Sequence, residues 1–482
     1  MTVLQARTPA SVYWFALFGF LLFAGIGRLA SFVLHDPLLA YANSYDMIRI
    51  QACHQIWPAD KGIDITNGTP EAPLRRYTLD KHVETPCFPS SELLFTGAGI
   101  ELSKLRNRVT GETLISMKTI ALVKAMFLGL TVLLFSVYFF RKRSGYAFCI
   151  NALMMLVVLS DPGVTLYLGT FYTEFSAAYF LYVMLAGLVV LDLENYQCKT
   201  AWPLLVGLLG LGLSKPQHIP LALLAGVVLT GYLALYVRRY RLASFVLMLA
   251  VLPTVLLVTD NFTPRNEKME LGNKLNAVSG LLSVSDNPQQ LLAALNLPAD
   301  CMNIAGKSWP VFDQGLEPLC PAFRAFSLGD LAAGALQRQR DYTGFIFQGI
   351  AGTKEWVFNG YGQVEGGTTA LVSKHHRTLY TWMPRVSASV YFWLFTGVSL
   401  VACVLAVGAT VFRSTLLKQC LFMLFTIMLM WAVLLIALFG DGMFDIGKHT
   451  HLLMPLLFMA VFSLVCMPLL LLGKNGQESI PS

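Results

Sequence analysis

Long apolar runs alternate along this chain with short polar interruptions. The runs lie near 12–34, 117–140, 146–160, 170–191, 201–214, 219–237, 242–259, 387–412, 419–439 and 450–473. A bilayer core takes about 20 apolar residues per helix, so the pattern predicts about ten transmembrane helices. The runs near 146–160 and 201–214 are short for a full crossing at about 1.5 Å per residue. Short helices buried in protein can floor a water-filled cavity open to one side. No small-residue cleavage pattern follows the first run, which therefore reads as a span and not as a signal peptide.

Two long polar segments separate the runs, at about 35–116 and 260–386. In the first, 44–57 and 91–108 read as amphipathic helices, with turn-rich stretches at 60–73 and 84–89. In the second, 281–297 and 322–339 read as short helices and 359–362 as a turn. The chain thus divides into an N-terminal membrane module (1–259, spans one to seven), a loop domain (260–386) and a C-terminal membrane module (387–482, spans eight to ten). There is no internal repeat.

Composition agrees: 55% of the 482 residues are hydrophobic and 13% charged, which excludes a soluble globule and predicts an all-α polytopic membrane protein. The net charge of +7 gathers in one set of short segments, at Arg7, Arg141, Lys142, Arg143, Lys199, Arg238, Arg239, Arg241, Arg413, Lys418 and Lys474. The opposite short loops hold only Lys215 and Lys448. The positive-inside rule puts the first set, and both termini, in the cytoplasm. The charge is then a topology signal, and no nucleic-acid partner is implied. Of nine cysteines, Cys53 and Cys87 fall in one outer segment and Cys301 and Cys320 in the other. Two local disulfides in an oxidising compartment are expected, four free thiols being the alternative.

Every unusual polar cluster falls at the outer end of a run, where ionisable groups are expensive and usually functional. Asp46 follows Asn43, Ser44 and Tyr45 and precedes Arg49. It reads as a general base for a hydroxyl or as part of a helix N-terminus, and the two roles are compatible. Asp161, Tyr172 and Glu174 form a second cluster, with Glu174 about one turn into a span. Lys215 and His218 flank Pro216, where a cation suits a phosphate or, equally, snorkels to headgroups. Asp441, Asp445, Lys448, His449 and His451 fall within eleven residues. A zinc site there is the minor reading, since one short loop gives poor tetrahedral geometry and offers no Cys. Arg28, deep in the first span, adds a further cation, and His375, His376 and Arg377 read as an interfacial basic patch. Asn67-Gly68-Thr69 and Asn261-Phe262-Thr263 match the N-glycosylation triplet, which matters only in a eukaryotic secretory pathway.

The stretches Tyr45-Asp46-Met47-Ile48-Arg49, Thr170-Phe171-Tyr172-Thr173-Glu174 and Asp441 through His449 resemble the GT-C glycosyltransferases, which use polyprenyl-phosphate sugars. More narrowly they look like bacterial surface-glycan hexose transferases and the type IV pilin arabinofuranosyltransferase. The resemblance implies a GT-C-like fold with two large extracytoplasmic loops. It also implies inverting transfer to a glycan or to a protein such as pilin, in a bacterial inner membrane with the site facing the periplasm. Asp46 would be the base. Arg28, Lys215, His218, Lys448 and His449 would bind the donor phosphate. Tyr45, Arg49, Asp161, Tyr172, Glu174, Asp441 and Asp445 would hold sugar or acceptor. No cofactor is required on this reading, a divalent metal being the minor alternative. The superfamily's paired acidic motif is absent, since position 44 is Ser. Two rival functions share many of these features. A lipid-linked glycan flippase or transporter would spread its polar residues over both faces. A glycan ligase or polymerase would rest on His375, His376 and Arg377.

Overall fold

The computed structural model describes residues 9–42, 45–59, 72–79, 87–261, 264–307, 319–357, 361–366, 371–372, 376, 379–412 and 414–470. Several expected features lie outside the described residues: Arg7, Asn43, Ser44, the glycosylation triplet at 67–69, residues 60–71 and 84–86 of the turn-rich stretches, Phe262 and Thr263 of the second triplet, residues 359–360, His375, Arg377, Arg413 and Lys474. So do the side chains of Tyr45 and Asn261.

Among the described residues seven helices are long and apolar enough to cross a membrane: Tyr13–Leu34, Met117–Arg141, Glu174–Leu193, Pro216–Leu235, Ala388–Val411, Leu417–Asp441 and Leu453–Leu470. Three more apolar helices are shorter, Gly145–Leu159, Trp202–Gly212 and Tyr240–Leu256. The chain is a multi-pass membrane protein built as a helical bundle. In chain order its first helices are α1 (Pro9–Leu34), α2 (Tyr45–His54), α3 (Glu92–Thr110), α4 (Met117–Arg141), α5 (Gly145–Leu153), α6 (Pro162–Thr165), α7 (Glu174–Leu193), α8 (Trp202–Gly212), α9 (Ile219–Leu235) and α10 (Tyr240–Asn261). α5 runs on as a π-helical turn, Met154–Leu159. α7 and α8 pack backbone to backbone. A Cβ at Gly187 would stand 2.3 Å from Leu204 N, and one at Gly207 the same distance from Met184 N, so only glycine permits this approach.

The first polar segment carries α2 and α3 and a small antiparallel sheet that the hydrophobic pattern did not disclose. Its strands are β1 (Ile56–Pro58), β2 (Arg76–Leu79) and β3 (Ile115–Ser116), with Trp57 opposite Thr78 and Tyr77 opposite Ile115. Strands this short hold too few positions for alternation to show. A disulfide joins Cys53, at the end of α2, to Cys87.

The second polar segment differs in detail from expectation. The single helix expected over 281–297 is split into α11 (Pro264–Val284) and α12 (Pro288–Ala294). Pro288 has no N–H to continue a helix, and the Asn287 side chain accepts from Gln290 N at 3.1 Å, opening a new one. The helix expected from 322 begins at Leu328, where Ser327 and Asp330 form a capping box. A further helix, Gln339–Thr353, follows it. Cys301 and Cys320 are joined by a disulfide. Residues 361–366 lie antiparallel to 38–42, through Ala42 N to Gly362 O (2.9 Å), Ala40 N to Gln363 O (3.2 Å) and Glu365 N to Leu38 O (2.9 Å). The second segment therefore grips the strand of chain that leads into α2.

One buried ion pair ties the first segment to the bundle. Glu92 at the start of α3 meets Lys124 of α4 at 2.6 Å, both side chains at 0% exposure. Lys124 also donates to Thr170 O (2.7 Å) and Tyr167 O (3.3 Å), and Glu92 accepts from Ser176 N (3.1 Å). The pair thus fixes the loop that carries Tyr172 to Glu174. Lys124 is the deeper of two lysines, with Lys118, in the apolar run 117–140, a signal visible in the sequence but without its partner.

Candidate active site

Four separate stretches of chain meet at one end of the bundle. Asp46 lies in the first turn of α2. That helix is held at its start by the 38–42 contact and at its end by the Cys53–Cys87 bond, with Phe88 N donating to Arg49 O (3.3 Å). Glu174 opens α7. Lys215 sits in extended backbone between α8 and the turn Pro216–His218, and Ser90 Oγ donates to Ser214 O (2.6 Å) beside it.

Lys448 comes from the short helix Ile446–His449, which the chain enters through two left-handed residues, Gly442 (φ 71°) and Asp445 (φ 49°). A Cβ at Gly442 would stand 2.3 Å from Asn276 O, and one at Gly447 2.3 Å from Glu355 O. The second polar segment is therefore pressed onto this helix and fixes where Lys448 starts.

Asp46, Arg49, Tyr172, Glu174 and Lys215 line a narrow cleft with about 320 Å³ of atom-free space, together with Ile50, Phe88, Thr173 and Pro216. Its charges are paired. Lys448 Nζ donates to Asp46 Oδ2 and stands 4.8 Å from the centre of the Tyr172 ring. Lys215 Nζ lies 3.3 Å from Glu174 Oε1. Burial pushes the Asp46 carboxyl upward, but the charges of Lys448, Lys215 and Arg49 outweigh it and hold it well below the usual carboxylate range. Burial alone would discharge Lys448; Asp46, Tyr172 and Glu174 keep it charged and raise it instead.

Around this centre burial shifts Asp445, His449 and His451 toward their neutral forms. Burial, helped by Lys215 and Lys448, keeps His449 uncharged. Its Nδ1 stands 3.2 Å from Asp441 Oδ2 and 3.4 Å from Gln217 Oε1. Burial also raises the Asp445 carboxyl, against the opposing charge of Lys448. His451, pushed down to about 4 by burial, donates from Nδ1 to Lys448 O (3.0 Å). Its ring faces His218, centroids 5.5 Å apart. His218 Nδ1 is 2.8 Å from Ser214 Oγ and the residue does not line the cleft.

Arg28 and Asp161 form a separate cluster, 3.5 Å apart. Arg28 also donates to His376 O (2.6 Å) and Leu156 O (3.1 Å), while Asp161 accepts from Leu379 N (3.0 Å). These contacts anchor the end of the second polar segment on α1 and on the turn after α5. His376 is buried against Phe32 and His35, so its ring is not part of an exposed basic patch. Among the described residues no group of three or more His, Cys, Asp or Glu side chains is placed to hold a metal ion.

A family profile described as the YfdI N-terminal transmembrane domain matches residues 74–314, half of the 482 residues. The chain belongs to this family. Comparison with curated proteins and with solved structures gives no match. The segment matched to the YfdI N-terminal transmembrane domain contains Tyr172, Glu174 and Lys215. Asp46 and Lys448 lie outside it, so the cleft carboxylate Asp46 and the lysine paired with it are supplied by the flanking parts of this chain.

Proposed function

We propose that the protein is an integral-membrane glycosyltransferase. On this reading it moves a sugar, with inversion, from a polyprenyl-phosphate donor to a glycan or to a protein acceptor such as pilin. The cleft would face the periplasm of a bacterial inner membrane. The fold would be GT-C-like, with all ten apolar helices crossing and both polar segments outside. The observation that carries the reading is the pairing of two carboxylates with two lysines around one narrow cleft at the ends of membrane helices. Such a site suits a reaction that needs a base for a hydroxyl and cations for a departing phosphate, at the depth where a lipid headgroup lies.

Asp46 takes the proton of the acceptor hydroxyl. Lys448 and Lys215 neutralise the lipid phosphate as it leaves, so the proposal requires no metal. Glu174 and Tyr172 border the space for the sugar, with Arg49 at its edge. The test is a panel of polyprenyl-phosphate sugars offered, with candidate acceptors, to the purified protein in nanodiscs. Release of free lipid phosphate coupled to glycosylated acceptor is expected from one donor. Donor that binds in the cleft and is carried across the bilayer unchanged would point to a flippase and sink the proposal.

A further inference from the structure

In the structure the carboxylate assigned as base is occupied. Lys448 is bonded to Asp46 Oδ2, its side chain is 8% exposed, and Tyr172 closes over its ammonium. The stem cannot easily retreat, because Gly447 is seated on Glu355 O and Lys448 N donates to Asp445 O (2.8 Å). Asp46 itself is 34% exposed and reachable from the cleft. A carboxylate sharing its lone pair with an ammonium is a poor acceptor for a hydroxyl proton. Something must therefore draw the ammonium away before Asp46 can act. The group that can do so is another anion, and the reaction brings one: the donor's phosphate, which binds ammonium through charge-assisted hydrogen bonds.

We infer that Lys448 is a donor-operated latch on Asp46. The inference rests on the transferase reading and adds an order of events to it. With the cleft empty, Lys448 holds Asp46. The phosphate of the arriving donor takes the Lys448 ammonium, and Lys215, less closely held by Glu174 at 3.3 Å, joins it. Asp46 is left without its closest cation and becomes a base only when a donor is in place. The acceptor oxygen then bonds to the anomeric carbon as the bond from that carbon to the phosphate oxygen breaks. The electron pair of the broken bond leaves on the phosphate, whose added negative charge Lys448 meets, and the acceptor proton ends on Asp46.

The latch makes Asp46 a competitor of the phosphate for one ammonium. Binding of undecaprenyl phosphate to the full-length protein in nanodiscs tests this, with undecaprenol and inorganic phosphate as controls. Asp46→Asn is expected to bind undecaprenyl phosphate about tenfold tighter than the wild type, and Lys448→Met about tenfold weaker. Equal or weaker binding by Asp46→Asn overturns the latch; if the wild type still transfers sugar, the transferase reading survives. Binding of inorganic phosphate with none of the lipid phosphate, or equal binding of undecaprenol, overturns the latch as well. Should Asp46→Asn misfold, infrared difference spectra of the wild type read the same event. Undecaprenyl phosphate should move the Asp46 carboxyl titration to higher pH, the band being assigned with Asp46→Glu. An unmoved titration overturns the inference.

Discussion

Removing Lys124 should strand a carboxylate inside the protein and make stability depend on pH in a predictable sense. Glu92 and Lys124 are 2.6 Å apart with no exposed surface on either side chain. Deleting one partner of a buried pair costs about 3–5 kcal/mol, because the other is left uncompensated. Glu92 has an escape, protonation. Burial already lifts its carboxyl to about 7, against the lowering effects of Lys124 and Ser176. A free glutamate ionises near 4.3, so the folded state holds a proton that the unfolded chain gives up. Stability therefore falls as pH rises from the unfolded value to the folded one. In the wild type that fall ends near 7. In Lys124→Met the folded value is higher still, and the fall continues at about 1.4 kcal/mol per pH unit. Around pH 6 both proteins keep the proton, and the variant lacks the lysine's contacts with Glu92, Thr170 O and Tyr167 O. Between pH 7 and 9 the gap between variant and wild type should widen by about 3 kcal/mol. Equilibrium unfolding by SDS in mild detergent, across this pH range, reads the gap. The double variant Glu92→Gln/Lys124→Met, with no charge to bury, should recover much of the loss at high pH. A gap that does not change with pH, or a double variant no better than Lys124→Met at pH 9, would refute the reasoning.

Three further outcomes are expected. Gly447→Ala places a methyl 2.3 Å from Glu355 O and should cost about 1–3 kcal/mol, read as a lowered unfolding midpoint together with weaker undecaprenyl phosphate binding. Opening the 301–320 disulfide with Cys301→Ser and Cys320→Ser should destabilise the second polar segment by about 3 kcal/mol, seen as faster limited proteolysis there with the membrane helices intact. Lys215→Met, if the lysine meets developing phosphate charge, should lower the transfer rate about 100-fold, and an unchanged rate would remove it from the site.

The apolar helices were legible because an apolar run is a local property: each of the ten runs corresponds to a helix, but among the described residues seven are long enough to cross a membrane, and those near 146–160, 201–214 and 242–259 are shorter. Asp46, Glu174, Lys215 and Lys448 stood out for the same reason, as charges at the ends of apolar runs. Their partners could not be read. Lys448 reaches Asp46 across 402 residues, and nothing local in either stretch specifies the other. Arg28 looked like a cation for the site, yet its contacts include the Asp161 carboxylate and the backbone carbonyls of His376 and Leu156. Glu92 was read as one residue of an amphipathic helix, because a buried carboxylate is recognisable only once its lysine is seen beside it. The split at Asn287-Pro288 was written in the sequence as a cap and a proline, but the hydrophobic pattern on either side runs through it.

The most direct test of the account compares wild type with Asp46→Asn in nanodiscs, measuring sugar transfer and donor binding on the same samples. The account predicts that Asp46→Asn binds the polyprenyl-phosphate sugar at least as well as the wild type and loses transfer by about 100-fold or more. Equal transfer by the two proteins would contradict it, since the carboxylate at the centre of the cleft would then have no part in the chemistry.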